Sequence, residues 1–305
     1  MRRCFLWQST VLLCCGLLLP GPPLLADYPV QVVDGAGREI VLESPARRIV
    51  SLAPYLTELL FAAGAGDFIV GASEFSDYPA AATDIPRIGG GGGLDIETIV
   101  GLQPDLVLAW QSGNPDGELE RLQSLGMTLF LSEPRQLQDV PGTLVRLGQL
   151  AGSEQVAEAS AQAFESRYRE LQRRYSGRAP VAVFYQVWKQ PLMTVNGEHL
   201  ISDVIQLCGG YNVFSDLPVL APQIDIEAVL AAEPDVILVG TGGTSETAEL
   251  HDWGRWPVLA AVARGHLYGV QRELLVRHSP RILDGAEQLC RILEKVRSEK
   301  VQRER

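Results

Sequence analysis

Few residues of this 305-residue chain have the type and spacing to do chemistry, and those few suit holding a ligand better than converting one. The histidines, His199, His251, His266 and His278, lie in different segments with no pair at metal-ligand spacing, so no metal site is expected. Ser51, Ser73 and Ser279 lack a nucleophile-elbow context and any base with its orienter, so no catalytic residue is assigned and no enzyme is expected. The run Gly89–Gly93 has neither the lysine nor the hydroxyl of a phosphate loop and reads as a flexible lip. What remains are aromatics where strands should end: Phe75 and Tyr78 after Phe68–Ala72, Trp110 after Leu106–Ala109, and Trp188 after Val183–Gln186. Such side chains either line a concave pocket or seal a core. Arg277, in the polar segment Arg277–Arg281, offers a guanidinium fork suited to amide or phosphate oxygens, and Glu273 one turn earlier is its alternative partner in a plain surface ion pair.

The elements that must carry these residues alternate. Arg48–Leu52 reads as a strand, Thr57–Gly64 as a helix stopped by glycine, and Phe68–Ala72 as a strand. A short helix over Asp95–Leu102, a strand from Asp105, a helix over Asp116–Leu125 and a strand at Thr128–Leu131 follow. Ser153–Tyr175 contains no proline or glycine and carries a helical apolar stripe, which predicts one amphipathic helix about 34 Å long, capped by Ser153 and ended by Gly177 and Pro180. The pattern then restarts with Val181–Tyr185, the helix Ser202–Cys208, the strand Asp235–Val239 and a final helix over Ile282–Arg297. Alternation of this kind predicts an α/β protein of two lobes, each a parallel sheet covered by helices, joined by the single long helix with a ligand cleft between the lobes. The expected divisions are residues 27–152, 153–176 and 177–305.

One segment is written twice. Leu94–Gly113 and Ile224–Gly243 align without a gap at an offset of 130 residues, with Asp95/Asp225, Ile96/Ile226, Glu97/Glu227, Pro104/Pro234 and Asp105/Asp235 identical. In each copy an Asp caps a short helix, a proline closes it and an apolar strand follows. Thr57–Gly64 and Ser202–Gly209 are a weaker echo, both capped helices ending in glycine. The two lobes are therefore expected to be structural repeats. A duplicated acid at matching points on two lobes suits a two-fold symmetric partner.

Arg2 and Arg3 precede an uncharged run that ends at Pro20, with a small residue at Ala26, which predicts a signal for export removed near that point. Leu12 and Leu13 are bulky ahead of Cys14 and Cys15, which argues against a lipid-modified cysteine. Without residues 1–26 the chain keeps 24 basic against 37 acidic side chains, so nucleic acid is not an expected partner. Cys208 and Cys290, the only cysteines left, form an even pair in an oxidising compartment and are expected as a disulfide, with two buried thiols as the alternative.

Arg48–Gly64, Ser76–Pro79, Pro104–Trp110, Leu207–Gly210 and Ser279–Arg281 together resemble the class III substrate-binding proteins of ABC importers, and within that family its cobalamin-binding branch. The resemblance spans about residues 48–297 and implies a monomeric periplasmic protein that captures cobalamin or a related corrinoid, with no other cofactor. A permease homodimer with its ATPase subunits is the implied partner, docked by Glu97 and Glu227. Phe75, Trp110, Glu273, Leu274, Leu275, Val276 and Arg277 are the implied pocket, with Trp188 added from the second lobe, and Cys208 and Cys290 the implied disulfide. Gly91 and Ala221 stand where the family carries aromatic residues, a loss that keeps haem or a ferric siderophore as the alternative ligand.

Overall fold

The computed structural model describes residues 29–242 and 246–303, so the proposed export signal lies outside the described residues. A hairpin of β1 (Val30–Val33) and β2 (Glu39–Leu42), which the sequence pattern did not bring out, opens the chain. The first half then runs β3 (Ile49–Ser51), α1 (Pro54–Ala62), β4 (Ile69–Ala72), β5 (Gly89–Gly90), β6 (Gly93–Leu94), α2 (Ile96–Gly101), β7 (Leu106–Trp110), α3 (Asp116–Ser124), β8 (Leu129–Ser132) and α4 (Asp139–Ala151). After α5 (Glu154–Tyr175) come β9 (Val181–Gln186), α6 (Leu200–Leu207), β10 (Gly210–Asn212), α7 (Ile226–Ala232) and β11 (Val236–Thr241). The chain continues with α8 (Glu246–Trp253), α9 (Ala260–Ala263), β12 (Leu267–Gln271), α10 (Arg272–Val276) and α11 (Ile282–Arg303).

Two parallel sheets result, in the orders β4-β3-β7-β8 and β10-β9-β11-β12. Position for position these orders match, and the duplicated segment fills the same slot in each, as α2 then β7 and as α7 then β11. The identical residues do identical work. Asp95 and Asp225 accept the Thr98 and Ala228 amides at 2.9 and 2.8 Å. Asp105 accepts the Arg47 and Arg48 amides at the start of β3, and Asp235 accepts the Ala182 amide on β9, so each aspartate ties its strand to the central neighbour. Gln103 and Glu233, just before each proline, both take a left-handed φ, of 48° and 45°. Gly64 and Gly209 close α1 and α6 at φ of 79° and 71°, which only glycine adopts freely.

Strand side chains alternate between faces, and both faces of each sheet are buried, which explains why the strands read as unbroken apolar runs. Val50, Val107 and Leu129 pack on one face of the first sheet; Phe184, Ile237 and Val239 do so in the second. The opposite faces share one core that passes from Ile49, Leu108 and Phe130 through Phe164 and Leu171 of α5 to Val183, Leu238 and Leu289. The halves are thus joined by continuous packing and not by α5 alone. α5 is also pinned to both sides: Ser153 Oγ and Ser160 Oγ donate to the Ala63 and Ala62 carbonyls, while Arg167 pairs with Asp284 and Glu287 of α11. Ser153 therefore stands at the N-cap position without capping, because its hydroxyl is committed to α1. Cys208 and Cys290 form the expected disulfide between the end of α6 and α11. Closing a loop of 82 residues is worth about 4 kcal/mol in the chain-entropy view.

Candidate functional site: the cleft floor between the strand ends

The loop after β4 is held rigidly from beneath. Ser51, Thr57, Ser73 and Ser76 are all buried, and their hydroxyls bond to one another at 2.9 to 3.2 Å. This network of hydroxyls fixes the loop. Above them Phe75 is 74% exposed with φ at 63°, a conformation that costs a β-carbon residue energy. Phe75 is thus a large aromatic presented to solvent by a loop tied down from beneath. Beside it Tyr78 lies under the Arg281 guanidinium, 3.8 Å from Cζ to the ring centroid. Nearby, Gly89–Gly90 and Gly93–Leu94 form the two-residue strands of a hairpin.

Two residues on, Asp77 accepts a hydrogen bond from Arg277 Nη1 at 2.6 Å, linking the first half to the second. Arg277 also pairs with Glu273 through Nε at 2.6 Å and with Glu58 through Nη1 at 3.0 Å. Glu58, on α1, further accepts from Arg281 at 3.0 Å and from Ser279 Oγ at 2.5 Å. Burial works against the Arg277 charge, but the Asp77, Glu273 and Glu58 carboxylates outweigh it and hold the guanidinium firmly charged. A buried acid bound to three groups from the other half is a latch at the floor of the cleft. The only sequence signal for it is an acid embedded in an apolar helix, Leu56-Thr57-Glu58-Leu59-Leu60.

The residues expected to form the pocket fall in different surroundings. Arg277 is buried and bound by three carboxylates, so it braces the floor. Leu274 is buried, Leu275 is completely buried in the shared core, and Val276 is half-buried and packed against that core. Glu273 remains largely exposed at the floor. Trp110 is half-buried, edge-on to Tyr55 and to His278 at 5.8 Å each, and Gly113 lies flat against its ring; it sits in the seam between the halves. His278 and His199, 6.0 Å apart, complete that seam. Burial drives both imidazoles down, His278 to about 3 with His199 adding to the effect, and His199 to about 4 with Arg135 adding.

On the second half Trp188 is half-exposed at the end of β9, its Nε1 donating to the Gln190 carbonyl at 2.9 Å. Arg272, at the end of β12, lies over its ring with Cζ 5.5 Å from the centroid. Polar contacts thus link the Phe75 loop through Asp77 to Arg277 and Glu273, and the residue just before Glu273 in the chain, Arg272, lies over Trp188. The site is an open cleft; a cavity of about 450 Å³ along α5, lined by Tyr168 and Gln172, contains none of these residues. No group of three or more His, Cys, Asp or Glu is placed to hold a metal among the described residues. Glu97 and Glu227 are exposed at the first turns of α2 and α7, away from these aromatics in the sequence and outside any ion pair among the described residues.

Two parallel-sheet lobes, a long helix packed on both, and a cleft rimmed by fixed aromatics define a two-lobed solute-binding protein. The chain belongs to the periplasmic binding protein family, whose model matches residues 49–274. It is 38% identical over 253 residues to a vitamin B12-binding protein of Vibrio cholerae serotype O1, covering 82% of this chain and 90% of that one. The crystal structure of the periplasmic vitamin B12 binding protein of Vibrio cholerae superposes with a TM-score of 0.78 at 37% identity, over 83% of this chain and 98% of that one. A periplasmic heme-binding protein from Roseiflexus sp. RS-1 superposes with a TM-score of 0.72 at 24% identity, over 83% and 99% of the two chains, a likeness of fold. No helix among the described residues is long and apolar enough to cross a membrane.

Proposed function

We propose that this chain captures cobalamin or a related corrinoid in the cleft and delivers it to the permease of an ABC importer. The observation that carries the reading is Phe75, an exposed aromatic held at a strained φ by a buried hydroxyl cluster, in a chain whose relatives at 38% identity are described as vitamin B12-binding. Phe75 and Trp188 supply flat apolar faces from opposite lobes for a macrocycle, Trp110 backs the seam, and Glu273 offers a carboxylate to the amide groups of a corrin.

Residues 27–152 and 177–305 act as the lobes, 153–176 as their connection. The protein works as an exported monomer in the periplasm, released from a signal at residues 1–26, and catalyses no reaction. Glu97 and Glu227 dock on the paired permease subunits, which the ATPase subunits drive. Titration of the purified mature chain with cyanocobalamin, followed by calorimetry and absorbance, tests the ligand. Binding at micromolar concentration or tighter is expected. Absence of binding, with haem or a ferric siderophore bound instead, overturns the assignment in favour of the alternative ligand.

A further inference from the structure

Arg272 differs from Arg277 and Arg281, the other cations on the cleft floor. Arg277 has three carboxylates. Arg272 has none within ion-pairing distance among the described residues; its one hydrogen bond runs from Nη2 to the Gly240 carbonyl at 3.0 Å. Its Nε is buried without a partner, and so is the hydroxyl of Tyr185, which lies against the same Gly240. A partly desolvated guanidinium without a counter-charge is costly, and among the described residues no acid is paired with this one. The indole of Trp188 occupies one side of the guanidinium, so Trp188 and Arg272 together present an aromatic and cationic wall at the strand ends of the second lobe.

The geometry points to Arg272 as a specificity-determining residue that binds an anionic oxygen of the ligand. Resting on the corrinoid reading above, that oxygen belongs to the phosphodiester joining the corrin to its nucleotide base. A guanidinium fork matches phosphate oxygens in shape and charge. The macrocycle itself bears uncharged amides, so Arg272 selects the complete cobalamin over corrinoids that lack the nucleotide arm. The bound phosphodiester supplies the counter-charge that the protein withholds.

The test titrates the wild-type chain, R272Q and R272K with cyanocobalamin and with dicyanocobinamide, which has the corrin but no phosphodiester, and with haem, whose anionic oxygens are carboxylates. The wild type is expected to bind cyanocobalamin about tenfold or more tightly than dicyanocobinamide, the gain typical of a charge-assisted hydrogen bond. R272Q erases that preference by weakening cyanocobalamin alone, leaves dicyanocobinamide within about twofold, and removes the salt dependence of cyanocobalamin binding. R272K, which keeps the charge without the fork, retains part of the preference. Equal weakening of both corrinoids by R272Q overturns the inference, because it reduces Arg272 to a prop for Trp188; so does an unchanged preference. Failure of the wild type to bind either corrinoid is a different failure, that of the corrinoid reading itself, and tighter haem binding by the wild type that R272Q weakens reassigns the anionic oxygen to a carboxylate.

Discussion

Glu58 Oε1 accepts a hydrogen bond from Arg277 Nη1 at 3.0 Å across the boundary between the lobes, and both side chains are almost fully buried. Ser279 and Arg281 converge on the same carboxylate, so one side chain of α1 organises the whole segment that leads into α11. A buried carboxylate with every contact satisfied adds little net energy over an apolar pair, but removing one member alone is expensive.

Glu58→Ala should therefore destabilise the protein by about 3 kcal/mol, because Arg277, Ser279 and Arg281 lose a shared acceptor while Asp77 and Glu273 still neutralise Arg277. Urea unfolding of E58A, R277L and the double variant measures this. A coupling above about 1 kcal/mol is expected between the two sites. Strictly additive losses contradict the latch.

The duplication made this fold legible. Asp95 and Asp225, or Asp105 and Asp235, announce two equivalent lobes because capping and strand-tying are local events that a few residues specify. The long helix was readable for the same reason, as a 3.6-residue stripe without interruption. The hairpin β1–β2 and helix α4 were missed, since a short strand pair and a helix broken by Pro141 and Gly142 carry weak periodicity. The placement of Phe75 and Trp188 just beyond strand ends was legible, and both are exposed there. The burial of Arg277, Leu274 and Leu275 was not legible, because whether a side chain near a cleft is exposed or packed depends on contacts from the other lobe. Glu58 and Asp77 lie some 200 residues from Arg277 in the chain, beyond the reach of any local pattern.

Acid should weaken the seam formed by Tyr55, Trp110, His199 and His278. Burial first, then the neighbouring His199, hold the His278 imidazole down to about 3; burial first, then Arg135, hold His199 to about 4. In the unfolded chain both titrate near 6.5. The folded values lie below the unfolded ones, so the unfolded chain takes up more protons, and stability that is complete above pH 6.5 is lost as pH falls toward 4 and then 3. Between pH 6.5 and 5 each histidine should cost up to about 2 kcal/mol. His278→Phe, which keeps an aromatic ring against Tyr55 and Trp110, should remove about half of that loss. Urea midpoints at pH 7 and 5 decide the matter, and an unchanged pH dependence in H278F excludes His278 as a source.

Docking can be separated from ligand capture. Glu97 and Glu227 project from equivalent first turns of α2 and α7, where a carboxylate also complements the helix dipole. Reversing both to lysine should stop uptake in cells while leaving corrinoid affinity within about twofold. Each single reversal should reduce uptake partially, since the other lobe keeps its contact. Uptake by the double variant at the wild-type rate refutes the docking assignment.

Phe75 offers the sharpest test, because its contributions to stability and to binding should have opposite signs. Its ring is 74% exposed, so truncation removes little packing, while its φ of 63° strains any residue with a β-carbon. Phe75→Ala should leave the urea midpoint nearly unchanged, and Phe75→Gly should raise stability by about 1 kcal/mol, the usual preference of glycine for this conformation. Both variants should bind cyanocobalamin about 10- to 100-fold more weakly, the equivalent of losing one well-buried aromatic contact. Phe75→Tyr should bind close to the wild type, because it keeps the ring. A residue that merely completes the fold loses stability on truncation. A ligand contact that the protein strains to present keeps its stability as alanine, gains stability as glycine and loses affinity in both, and only that combination sustains the role assigned to Phe75.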